Sequence, residues 1–167
     1  MVIKKNVSSE FAELIGQLQT SPNNSDIKQA LVSRLPEMMA LAKVNSLALF
    51  RLAQIHAPSS AQYKQMMADS AKMGCTNAML ALCEVLVSSG SDIDLQSAAH
   101  YIQKIERSPD SYIRSKCGTL LDSNPHLQAR VAVLNKESNY FTGIRFFVGE
   151  SEHTVKESGS MNVVPGV

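Results

Sequence analysis

An all-α fold of stacked antiparallel helical hairpins, a short α-solenoid with an extended C-terminal segment, is what this sequence predicts, and three observations carry the reading. The chain of 167 residues has no Trp, only 8 Gly and 6 Pro, and Leu, Ala, Ser, Gln and Met throughout, a mixture that favours helices over sheets. Cap and breaker residues recur at regular intervals. A seam of small and aliphatic residues appears twice in near-identical form. With 44% hydrophobic and 19% charged residues the chain has the means to bury a core and is too poor in charge to read as disordered. Its formal net charge of +1 removes the electrostatic reason to expect a nucleic-acid or membrane-surface binder.

The punctuation yields eight helical segments. The first spans Ser9 to Gln19, with Phe11, Leu14, Ile15 and Leu18 on one face, and stops at the turn Ser21-Pro22-Asn23-Asn24. The second opens at Ser25 or Asp26 and carries Ile27, Leu31, Leu35, Met38 and Ala42. Pro36 removes a backbone donor and disfavours helix at Leu35, which predicts a kink or two shorter helices. The third begins at Asn45 with Ala48-Leu49-x-x-Leu52-Ala53. Its pattern returns 30 residues further on as Ala78-Met79-x-x-Leu82-Cys83. Between them Ser59-x-x-Gln62 reads as a capping box opening a helix that carries Tyr63, Met66, Met67, Ser70 and Ala71 and ends at Gly74. Ala98, Tyr101, Ile102 and Ile105 form the equivalent downstream stretch, after a longer Ser88–Asp92 loop. Ser108-Pro109-Asp110 and Asn124-Pro125 start the last two helices, since proline suits the first helical position. Ala at the seams lets neighbouring helices approach closely, and short loops make them antiparallel.

Residues Asn45 to about Ile105 resemble the tetratricopeptide superfamily and, within it, the Sel-like repeats. The likeness rests on Ala48 to Ala53, Ala78 to Cys83, and Ser70-Ala71-x-x-Gly74 followed by Ala78. Three departures qualify the subtype: Met66 and Tyr101 stand at the second-helix aromatic position, the first helix lacks its Gly at His56-Ala57, and the third round has lost most of the signature.

The end of the chain differs in kind. Tyr140 to Val148 holds four of the nine Tyr and Phe residues and is rich in strand formers, which predicts an extended apolar segment capping the last hairpin of a domain at 1–139. Residues 149–167 are polar and carry Glu150, Glu152 and Glu157 against Lys156, the composition of a flexible tail. This glutamate block resembles the export signals of bacterial type IV secretion effectors, which implies a protein made in the cytoplasm and delivered into a host cell. MVIKKNVSSE has no following apolar run of signal-peptide length, and no stretch has the length and apolarity of a spanning helix.

Chemistry-bearing motifs are absent: there is no HExxH, CxxC pair or DxDxDG for a metal, and no GxxxxGK[ST] or GxGxxG for a phosphate. His56, His100, His126 and His153 lie far apart, and no cofactor is called for. Cys83 and Cys117 sit on apolar stripes. Cys75 follows Gly74 in a turn just before a helix N-terminus, the position that makes it the candidate nucleophile among the three thiols. Met38-Met39 and Met66-Met67 read as core or as an adaptable groove. Lys104, Arg107, Arg114, Lys116 and Arg130 read as a solvated surface.

The expected function is therefore non-enzymatic binding of another protein or peptide by the repeat helices. The family resemblance implies that the first helices line the groove, so Arg51, Gln54, Glu84 and Arg114 project toward the partner. The alternatives are a cysteine-dependent enzyme using Cys75, and a structural subunit of a larger helical assembly.

Overall fold

The computed structural model describes the backbone of residues 6–151 and the side chains of 6–138. Eight α-helices make up the described chain: α1 (Val7–Thr20), α2 (Ser25–Ala42), α3 (Ser46–Ala53), α4 (Ala61–Lys72), α5 (Thr76–Ser89), α6 (Asp92–Glu106), α7 (Ser111–Asp122) and α8 (Pro125–Ser151).

Side-chain caps set most of the starts. Asn6, Asn24, Asn45, Ser60, Ser91 and Asp110 each accept backbone N–H groups of the first turn, satisfying donors that the helix itself leaves without partners. Ser60, which accepts from the Tyr63 N–H at 3.1 Å, takes the cap assigned from sequence to Ser59. Likewise Asp110 caps α7 at Ile113, so Pro109 lies ahead of the cap, whereas Pro125 does occupy the first position of its helix.

A tight joint links α4 to α5. Gly74, at φ 94°, adopts the left-handed conformation that spares a residue without Cβ any strain. Its N–H donates to the Ala71 carbonyl and the Cys75 N–H to the Ser70 carbonyl, at 3.0 and 3.1 Å, a Schellman ending. The Cys75 carbonyl then accepts the Met79 N–H at 3.1 Å, starting α5. One residue thus closes one helix and opens the next.

Each of α1 to α6 packs against its successor, and α1 also touches α3, α3 touches α5 and α5 touches α7. The odd-numbered helices thereby form a continuous row, the arrangement of stacked hairpins. Its seam is the one the repeated motif marked: Ala48, Ala53, Ala78 and Cys83 are fully buried. At one end of the row, Phe11, Ile15, Leu31, Met38, Ala42, Ala48 and Leu52 form a core with Leu18, Leu35 and Met66 packed against it.

Two sequence expectations are corrected. Of the kink or the two shorter helices expected at Pro36, the second is excluded: the chain remains one helix through the proline, because the packed face of α2 (Leu31, Met38, Ala42) is buried on both sides of it. Residues 140–148, expected to be extended, belong to α8. No strand among the described residues offers them a partner, and a helix satisfies its own backbone polar groups. The chain divides compactly after Val131, and of the following unit the structure describes the rest of α8. Residues 152–167, most of the expected acidic tail, and His153 lie outside the described residues. No helix of the described chain is long and apolar enough to cross a membrane.

Candidate functional site

An apolar groove opens where α1, α2 and the end of α3 meet. Ile15, Leu18 and Gln19 of α1, Lys28, Leu31, Val32 and Leu35 of α2, and Gln54 and Ile55 after α3 line its 420 Å³, toward the small end of ligand-pocket sizes. The floor is core: Ile15 and Leu31 are each 6% exposed. The rim is solvent-facing, with Val32 63% and Ile55 42% exposed. Large aliphatic side chains at that exposure, contiguous with a core, mark a surface that another apolar group can cover.

Helical spacing builds the wall. Lys28, Leu31, Val32 and Leu35 stand at i, i+3, i+4 and i+7 of α2, one face running about 10 Å at ~1.5 Å per residue. Pro36 has no N–H for the Val32 carbonyl, so this exposed turn also lacks one internal donor. Lys28 is the single charged side chain of the lining, and no ion pair among the described residues engages it. Arg34, by contrast, is held by Glu10 at 3.0 Å and Glu37 at 3.5 Å.

Of the four residues expected to face a partner, the groove contains Gln54 alone. Arg51 turns to α1 and donates to Ser8 Oγ at 2.7 Å, a bond between elements that makes it part of the packing. Glu84 is exposed on α5; its carboxylate stands near Tyr63, whose phenol is pushed up first by burial and then by that charge. Arg114 is exposed on α7 and donates to the Ser108 carbonyl. The groove residues missed in the sequence are the polar Gln19 and Lys28 and the apolar Val32 and Ile55. The latter two are aliphatic yet off the seam, Val32 one place past Leu31 and Ile55 just past α3, and that displacement is the trace they leave in the sequence.

The thiols lie in packing positions. Cys75 is 6% exposed, and its side chain makes no cap hydrogen bond to α5. Cys83 Sγ lies 3.5 Å from the Ala98 carbonyl, and burial, helped by Cys117 and Glu84, drives its thiol far above the ordinary range. Cys117 is pushed up to about 11, by burial and then by the Glu106 carboxylate. Met38 and Met67 are fully buried, and Met39 is 57% exposed. Among the described residues no three His, Cys, Asp or Glu side chains gather into a metal-holding group. Of the basic residues on α6 to α8, Lys104 and Lys116 each lie 5.7 Å from the ring of a tyrosine on their own helix, and Arg130 pairs with Asp92 at 2.7 Å.

Fold and groove together define an all-α protein of stacked helical hairpins with an apolar recess near the N-terminal end. Comparison with protein-family models, with curated proteins and with solved structures finds no match for this chain.

Proposed function

We propose that this chain is a non-enzymatic helical-repeat module that binds another protein, and that the groove between α1, α2 and the end of α3 is where it does so. The observation that carries this reading is the exposed aliphatic rim, Val32 and Ile55, set over a packed core. Covering such a rim removes apolar surface from water at about 25 cal/mol per Å², and the packed hairpins beneath hold it in place before binding. Gln54 and Gln19 supply hydrogen-bonding groups at the edge. The tetratricopeptide-like motifs from Asn45 onward support the same class of function, since stacked hairpins present extended surfaces without catalytic groups.

Quantitative co-purification from cell extract tests the reading, with wild type compared against Val32→Glu and Glu84→Lys. Both positions are exposed, so circular-dichroism melting should match wild type. A captured protein lost only with Val32→Glu supports the groove. Loss only with Glu84→Lys moves the site to the face expected from sequence, and loss with neither removes both.

A further inference from the structure

We infer that the occupant of the groove is an amphipathic helix of another protein, with aliphatic side chains at i, i+3 or i+4, and i+7 and a carboxylate at the end that meets Lys28. This deepens the proposed function and rests on it. The argument is geometric and electrostatic. The α2 wall from Lys28 to Leu35 is about 10 Å long, the span of seven residues on a facing helix at ~1.5 Å each. A groove of 420 Å³, floored by Ile15 and Leu31, accepts a few side chains from such a helix, with the helix backbone remaining outside it.

Charge fixes the direction. Lys28 stands at one end of the stripe, exposed, and is the only charge of the lining. It lies in the first turn of α2, which starts at Ser25, so the positive end of the helix dipole adds to its field. Asp26 shares that turn but is not part of the lining. An apolar occupant without an anion would leave this cation beside a desolvated rim, unpaired; a carboxylate turns that cost into a charge-assisted contact.

Selection from a displayed library of random helix-forming peptides tests this, on wild type with counter-selection on Val32→Glu and, as a second variant, Ile55→Glu. The expected result is enrichment of peptides with the i, i+3/i+4, i+7 aliphatic pattern and a terminal Asp or Glu. Fluorescence anisotropy should then show the enriched peptide weakened about tenfold by Lys28→Glu and restored by an acid-to-Lys exchange in the peptide. Enriched peptides that need Val32 but lack the pattern or the acid overturn this inference and leave the groove standing. The absence of any Val32-dependent peptide overturns both. A concentration-dependent dimer in sedimentation that Val32→Glu abolishes assigns the groove to a second copy of the chain, and overturns the inference as well.

Discussion

Arg51 shows how a charged side chain on a helix surface can belong to the interior. Its guanidinium reaches across from α3 to Ser8, a hydroxyl only 5% exposed. Arg51→Met should strip that hydroxyl of its donor and cost about 1–3 kcal/mol in urea unfolding, the range for a buried polar group left unsatisfied; an unchanged midpoint would show that the bond contributes nothing. Ser70 does similar work, donating to the Ser46 carbonyl at 2.7 Å from full burial. Cys117 sets a pH dependence. Its thiol ionises near 9 in the unfolded chain and is held up to about 11 in the fold. Below pH 9 both states keep the proton and stability is full. Between 9 and 11 the unfolded chain loses a proton that the fold retains, so stability falls as pH rises. Denaturation at stepped pH should give a shallower fall in Cys117→Ala than in wild type, although the variant starts lower at pH 7 because of the cavity.

At the level of elements, most caps were visible in the sequence to within one residue, because Asn, Ser and Asp before an apolar stripe act through local hydrogen bonds; Asn6, three residues ahead of the expected start at Ser9, is the exception. The α4–α5 joint was half visible. Gly74 read as a helix ending, but that Cys75 spends its N–H on α4 and its carbonyl on α5 depends on two helices meeting there. Pro36 made a break into two helices an open alternative for the opposite reason: its local penalty was real and packing outweighed it. Pro36→Ala should therefore restore the bond to the Val32 carbonyl and stabilise the protein by about 1–3 kcal/mol, read as a higher melting temperature. A lower one would mean that the groove wall needs the proline. Asp110 adds a contact no local pattern reports: besides capping α7, it accepts from Thr76 Oγ1 of α5 at 3.0 Å.

Across the whole stack, the row of α1, α3, α5 and α7 depends on close approach at alanine. Ala78 is fully buried, and Ala78→Leu should overpack the seam and cost about 1–3 kcal/mol or more. The same change at exposed Ala57 should be nearly silent, and the pair of melting curves decides between close packing and a tolerant, loosely filled interior. Binding belongs to this scale too. None of the groove's three walls is informative alone, since Leu18, Leu31 and Leu35 all sit on ordinary core stripes. Their junction leaves part of the stripe uncovered, and Val32 and Ile55 then stand at its lip.

What the sequence determined by itself was the helical class, most of the caps, and the alanine seam at Ala48, Ala53 and Ala78. These follow from short-range periodicity, local hydrogen bonding and side-chain volume, all of which act within a few residues. What only the tertiary structure decided was which polar groups are spent on packing, as Arg51 is on Ser8, and where apolar surface remains open. Both depend on the angles and distances between helices distant in sequence, so the groove exists only once α1, α2 and α3 have packed together.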